Sequence, residues 1–83
     1  MAAVDQIWSE AVRTLERYLT AHQDDRDALF LGVEWIYNVR AAGGLVHTRA
    51  EDARLARGYA EAYEKAGGPQ LPLVKQWMEF LEK

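Results

Sequence analysis

Residues 26–42 read RDALFLGVEWIYNVRAA, and their apolar pattern indicates that the other segments of the chain pack around them. Drawn as a helix, it carries apolar or small residues around more than half of its circumference, whereas an ordinary surface helix has a narrower apolar stripe. We therefore expect neighbouring helices on at least two of its sides. The residues that form this arc are Ala28, Leu29, Leu31, Gly32, Val33, Trp35, Ile36, Val39 and Ala42.

The ends of this central helix, expected at about residues 25–42, carry recognisable signals. Asp24 or Asp25 can cap its first turn, because a short carboxylate accepts hydrogen bonds from exposed amides. Gly43 and Gly44 can end it, since glycine adopts left-handed backbone angles without a steric penalty. Before the central helix, apolar residues at offsets of three and four predict a first helix over about residues 3–22, including Val4 and Leu19.

Two further helices are expected after the glycine pair. Thr48 and Glu51 have capping-box spacing and predict a third helix over about residues 48–66, with small residues such as Ala56 on one face. Gly67 and Gly68 end it, and Pro72 suits the first turn of a fourth helix over about residues 71–82. The pattern predicts a single all-α domain over residues 1–83, with four antiparallel helices joined by short loops.

Two details of the core can be predicted. Trp8, Trp35 and Trp77 each fall on the apolar side of a different helix, which predicts an interhelical aromatic cluster. Leu45 and Val46, in the connector after the central helix, are both expected to fold back against the core.

Composition excludes several classes of function. The 83 residues are 49% hydrophobic and 28% charged, and there is no cysteine. Ten Lys and Arg against thirteen Asp and Glu give a net charge of −3, without the basic footprint that nucleic acid requires. We therefore expect no nucleic-acid partner. No apolar run approaches the length of a membrane span and no signal peptide is recognisable, so we expect no membrane partner either. A cytoplasmic location is the default expectation.

Nothing in the chain has the pattern of a catalytic or metal site. His22 and His47 lack helical metal-pair spacing, and the glycine pairs are not followed by the residues of a phosphate loop. Asp52 lies on the apolar face of the third helix, where stabilisation by the helix dipole or a hydrogen bond from a tyrosine hydroxyl is expected rather than general-base chemistry. We expect no catalytic residue, no metal and no cofactor.

Phe30 and Tyr37 suggest an interaction surface instead. On a helical wheel they share a side with Arg26, Val33 and Arg40, near the edge of the polar face. Two rings between arginines are consistent with a docking strip for a protein partner. The alternative is that the first or third helix covers both rings.

At these residues the chain resembles a known family. Ala28, Leu31, Gly32 and Trp35 have the spacing found in the first helix of tetratricopeptide repeats. Residues 15–25 are similar to the preceding second helix and turn, with Gln23 where proline is usual, and Ala56, Tyr59 and Ala60 fall at second-helix positions. The resemblance covers roughly residues 10–69. The unit from residue 28 to residue 69 is longer than the family's repeat of roughly 34 residues.

The resemblance implies helical hairpins with a C-terminal capping helix, at the end of a longer array. It also implies that the first helix of a hairpin lines a groove for a partner segment, without the Lys and Asn clamp that some members use for a terminal carboxylate. An apolar or mildly acidic partner would be held by Phe30, Val33 and Tyr37, with the two arginines at the margins. Groove-facing or partner-binding residues would be Arg26, Leu29, Phe30, Val33, Ile36, Tyr37 and Arg40.

Two functions remain open on this basis. One is a non-catalytic interaction module, a scaffold or adaptor, that binds a protein or peptide segment along the central helix. The other is a structural piece that caps a larger array or self-associates weakly through a surplus apolar face, such as Leu73 with Phe80 or Leu45 with Val46.

Overall fold

A computed structural model describes the backbone of residues 2–83 and the side chains of residues 7–83. Within these residues the chain forms four α-helices and no β-strand, so the predicted all-α class is confirmed. The helices are α1 (Ala2–Ala21), α2 (Arg26–Ala41), α3 (Arg49–Lys65) and α4 (Leu71–Leu81). Each boundary lies within one residue of its predicted position. Val4, expected on the apolar side of α1, lies outside the described side chains.

The helix ends are fixed by local hydrogen bonds. The Asp25 carboxylate accepts from the Ala28 amide at 3.2 Å, and the Thr48 hydroxyl accepts from the Glu51 amide at 3.1 Å. Each bond satisfies one of the first-turn amides that a helix leaves without an internal partner. These two contacts confirm Asp25, rather than Asp24, as the cap of α2 and Thr48 as the cap of α3.

Glycine ends both α2 and α3 in the same way. Gly43 and Gly67 have φ angles of +87° and +75°, in the left-handed region that favours glycine. The following amides turn back onto the helix: Gly44 donates to the Val39 carbonyl at 2.9 Å, and Gly68 donates to the Tyr63 carbonyl at 3.0 Å. These bonds are those of a helix C-terminal motif and turn the chain toward the next helix.

Helix α2 is the centre of the packing. It contacts α1, α3 and α4, and α4 also packs on α3. Its interior face is buried, with Val33 and Ile36 only 0% and 1% exposed. The prediction that this segment is surrounded by neighbours is therefore confirmed. The other buried apolar residues that meet this face are Val12 and Leu19 of α1, Ala56 and Tyr63 of α3, and Val74, Met78 and Leu81 of α4.

Helices α2 and α3 approach each other closely at Gly32. A β-carbon at this position would lie only 2.6 Å from the Cδ2 atom of Tyr59. The absent side chain of Gly32 thus makes room for the Tyr59 ring, and this contact sets the spacing of the two helices.

The connector between α2 and α3 is held by side chains of α3 and α1. Asp52, only 1% exposed, accepts from the amides of Val46 and His47 at 2.8 and 2.9 Å. Arg13 of α1 donates to the Val46 carbonyl at 2.9 Å. Val46 is buried as predicted, but Leu45 is 46% exposed, so the expectation that both residues pack on the core was half right.

The prediction of one tryptophan cluster is wrong in part. Trp8 and Trp35 meet edge to face with ring centroids 5.9 Å apart. Trp77 instead packs against Phe30 and Tyr37 on α2. Trp77 lies apart from Trp8 and Trp35 because α1 and α4 pack on different sides of α2. Trp35, which contacts α1, and Phe30, which contacts α4, point in different directions around the α2 axis.

None of the helices in the described part of the chain has the length and apolar character needed to cross a lipid bilayer.

Candidate functional site

Four aromatic side chains form a continuous row where α2 and α4 meet. The row alternates between the helices, and its successive ring centroids lie 5.2 Å apart for Phe30 and Trp77, 5.8 Å for Trp77 and Tyr37, and 5.2 Å for Tyr37 and Phe80. These separations are those of favourable aromatic pairs. At its inner end the row meets Tyr63 of α3, 5.7 Å from Phe30.

The sequence spacing of each helix produces this row. Phe30 and Tyr37 are seven residues apart, so both point from the same side of α2. In α4, Leu73, Trp77 and Phe80 follow the i, i+4, i+7 rule and form a stripe beside the buried one. We call the surface formed by Phe30, Tyr37, Leu73, Trp77 and Phe80 the α2–α4 face.

The α2–α4 face is partly open to solvent. Phe80 is 41% exposed, and Phe30, Tyr37, Leu73 and Trp77 are half-buried. Large rings that are held in place by their neighbours and still reach solvent can bury further area against a partner at a small entropic cost. The face can therefore supply rigid apolar anchors.

The structure places only part of the predicted partner-binding set on this face. Phe30 and Tyr37 lie there, and α4 contributes most of their cover, with Tyr63 of α3 beside Phe30. Leu29 and Val33 are 2% and 0% exposed, so the expectation that they share a partner-binding surface with Phe30 and Tyr37 is wrong. Ile36 is buried in the same way. All three point into the core because α1, α3 and α4 enclose that side of α2.

The two arginines expected at the margins are engaged within the chain. Arg26 is exposed, but its guanidinium donates to the carbonyls of Ala66 and Gly67 at 3.5 and 3.3 Å. Arg40 is only 9% exposed and donates to the Arg49 carbonyl at 3.2 Å. Both guanidinium groups therefore bind carbonyls near an end of α3, and Arg40 has no open surface for an acidic partner.

Two negative charges also border the α2–α4 face on α2. Asp27 is exposed and Glu34 is half-buried, and both follow the outer edge of α2 beside Phe30 and Tyr37. Neither carboxylate forms an ion pair with any of the residues whose side chains the structure describes. On α4 the border is formed by the neutral Gln76 and, at the end of the chain, Lys83.

A second concave surface lies between α1 and α3, with a volume of about 620 Å³. Its floor is apolar, formed by Leu19, Leu29 and Leu55 with the ring of Tyr59, and at its rim His47 Nε2 lies 2.7 Å from Glu16 Oε1. Burial, assisted by the nearby Glu16 carboxylate, raises the pKa of Tyr59 to about 12. Tyr59 is therefore protonated at neutral pH and cannot serve there as a base.

The residues that first suggested chemistry have structural contacts. Asp52 lies in the first turn of α3, the position on which the expected dipole stabilisation depends, and it accepts from two backbone amides rather than from the tyrosine hydroxyl that was the other alternative. The His22 ring is stacked on Tyr18, with centroids 4.3 Å apart. Among the described residues, no group of three or more His, Cys, Asp or Glu side chains is placed to hold a metal ion.

Sequence reasoning missed two parts of the site. Trp77 was predicted to belong to a central cluster, although its spacing from Leu73 and Phe80 already indicates a second apolar stripe on α4. The groove between α1 and α3 had no comparable signal. This groove depends on the distance between α1 and α3, which both pack against α2. No short sequence pattern gives that distance.

Comparisons with protein-family models, with curated protein sequences and with solved structures returned no significant match for this chain.

Proposed function

We propose that this chain is a non-catalytic protein-interaction module that binds a partner segment on the α2–α4 face. The observation that supports the proposal is the row of four rings from Phe30 to Phe80, which two helices hold in contact. Phe80 is exposed and the other three rings are half-buried. Aromatic anchors contribute a large share of the energy in many protein interfaces.

The resemblance to tetratricopeptide repeats involves the same two helices. If α2 and α3 form one hairpin and α4 takes the place of the next first helix, then α2 and α4 are the two helices that would line the groove. The contacts of α4 with both α2 and α3 are consistent with that arrangement. The surface proposed from side-chain exposure and the surface proposed from the resemblance share Phe30 and Tyr37, whereas Leu29, Val33 and Ile36 belong to the second one alone and are buried.

A selection of peptides from a displayed library, with the whole chain as bait, tests the proposal. The selected peptides should bind the wild-type chain, and Phe80→Ser should weaken them by about tenfold, because one large ring typically contributes 1–2 kcal/mol or more to an interface. Ile7→Ser is the matched control, since Ile7 is a large apolar residue that is 66% exposed and lies on α1.

Because Phe80 also contacts Tyr37, its replacement could loosen α4, and the thermal unfolding of both variants must be compared with the wild type. Leu73→Ser provides a second probe of the same face that lies outside the aromatic row. Peptides that bind all variants equally, or a selection that returns no binder, would overturn the proposal.

A structural role is the second candidate, and the buried side of α4 favours it. Val74, Met78 and Leu81 cover α2 and α3 as a lid would, and the outer stripe of Leu73 and Phe80 lies where a further helix of an array could pack. In this case the isolated chain should self-associate. Analytical sedimentation over a wide concentration range would show a rising mass, and Phe80→Ser would abolish the rise.

A further inference from the structure

The charged residues at the border of the α2–α4 face indicate which charge its partner has. This inference rests on the proposed function of that face. The row of rings is bordered on α2 by Asp27 and Glu34, two carboxylates without an ion-pair partner among the described side chains. We infer that the partner is a basic amphipathic segment that places apolar side chains on the rings and Lys or Arg side chains along this acidic edge.

The positions of the two arginines make an acidic partner the weaker alternative. An acidic segment would need free positive charge beside the rings on α2. Arg26 donates to two carbonyls at the end of α3, and Arg40 is 9% exposed with a bond to the Arg49 carbonyl. An acidic partner would therefore meet two carboxylates, Asp27 and Glu34, against one exposed guanidinium, that of Arg26, and like charges at an interface disfavour binding.

The aromatic rings themselves favour a cation. The faces of Trp, Tyr and Phe rings attract guanidinium and ammonium groups that lie within about 6 Å of the ring centre. Trp77 and Tyr37 are half-buried side chains at the middle of the row, next to the turn of α2 that carries Glu34.

The spacing of the acidic edge sets the spacing expected in the partner. Asp27 and Glu34 are seven residues apart, which corresponds to about 10 Å along a helix. Two basic residues match this distance when they are seven positions apart in a helical partner, or about three positions apart in an extended one. A second copy of this chain fits less well, because its net charge is −3 and it would present the same acidic edge.

Three synthetic peptides test the inference with the whole chain. They share one amphipathic apolar pattern with Trp and Leu anchors, and differ in carrying two Arg, two Gln or two Glu at the seven-residue spacing. Fluorescence anisotropy should show that the Arg peptide binds about three- to tenfold more tightly than the Gln peptide, and the Glu peptide most weakly, as expected for partly exposed charge pairs. Raising the salt concentration should reduce the difference.

Variants assign the effect to the acidic edge. The double substitution Asp27→Asn with Glu34→Gln should remove most of the preference for Arg and leave the affinity for the Gln peptide unchanged. Glu64→Gln, which removes an exposed carboxylate on α3, is the matched control and should retain the preference. Phe80→Ser should weaken all three peptides.

The outcomes separate this inference from the proposed function. Equal affinities for the three peptides with continued dependence on Phe80 would overturn the charge inference and leave the binding face intact. Arg-peptide binding that ignores Phe80, Asp27 and Glu34 would show nonspecific attraction and would also overturn it. A dimer in sedimentation that is broken by Phe80→Ser would assign the face to a second copy and contradict a basic partner.

Discussion

Gly32 provides the sharpest test of how α2 and α3 pack. In an exposed helix interior, replacing glycine by alanine stabilises the protein by about 1 kcal/mol, because alanine loses less backbone entropy on folding. At Gly32 the added β-carbon would lie 2.6 Å from Tyr59 Cδ2 and 2.9 Å from Cε2, which is closer than atoms can pack. Overpacking of this kind typically costs about 1–3 kcal/mol.

The two effects oppose each other, and the steric one is expected to dominate. Gly32→Ala should therefore destabilise the chain by roughly 1 kcal/mol, which corresponds to a lowering of the thermal midpoint by about 4–8 °C in a domain of this size. Gly58 is the matched control on α3, because a β-carbon there meets nothing within 4 Å. Gly58→Ala should raise the midpoint by a similar amount.

Urea and thermal unfolding followed by circular dichroism give both values. A double-mutant cycle of Gly32→Ala with Tyr59→Ala should show a coupling above about 0.5 kcal/mol, because the methyl group added at position 32 has room only when the Tyr59 ring is removed. If Gly32→Ala proved as stabilising as Gly58→Ala, the close approach of α2 and α3 at this point would be refuted.

Three further predictions concern hydrogen bonds and pH. Asp52→Ala should destabilise the chain by roughly 2–4 kcal/mol in thermal unfolding, because the amides of Val46 and His47 both lose their buried hydrogen-bond acceptor. The native pKa of Tyr59, about 12, lies above its ordinary value of 10.0. The stability that comes from the neutral Tyr59 ring is therefore fully present below pH 10 and is lost as pH rises toward 12. Because the ring is partly exposed, the loss should be on the order of 1 kcal/mol, and Tyr59→Phe should abolish it in alkaline unfolding curves. The hydrogen bond from Tyr18 lowers the pKa of the Asp25 carboxyl below 3.8, so its stabilisation is present above that pH and is lost as pH falls through the native value. Acid unfolding of Tyr18→Phe should lack this part of the pH dependence.

Much of the helical layout could be predicted because it depends on local signals. Thr48, Gly43 and Gly67 act through bonds within a few residues of themselves, and those bonds are the ones observed. The apolar arc of α2 also predicted enclosure correctly, since burial of so wide an arc requires neighbours on several sides.

The candidate site was harder to predict because it depends on which helix covers which side of α2. Phe30 and Tyr37 were expected beneath α1 or α3, if covered at all, but their main neighbours are Trp77 and Phe80 of α4. For Val33 the resemblance to a repeat family implied a groove position, whereas the packing buries it completely. Helical periodicity gives the direction of a side chain around its own axis, and it does not identify the element that lies there.

The expected position of Arg40 at the margin is wrong for a similar reason. A wheel drawing places Arg40 beside the rings, but it cannot show that the guanidinium turns inward to the Arg49 carbonyl at the start of α3. A long side chain can adopt several conformations that point in different directions. The tertiary contacts that select one of them involve residues far away in the sequence.

Native-state hydrogen exchange of the backbone amides, measured by NMR, tests the central position of α2 most directly. We predict that the amides of Val33, Ile36 and Val39 exchange only through global unfolding, so that their exchange free energies equal the unfolding free energy and change with denaturant as it does. Exchange of these three amides through local opening, at free energies below those of α1 and α4, would contradict the account.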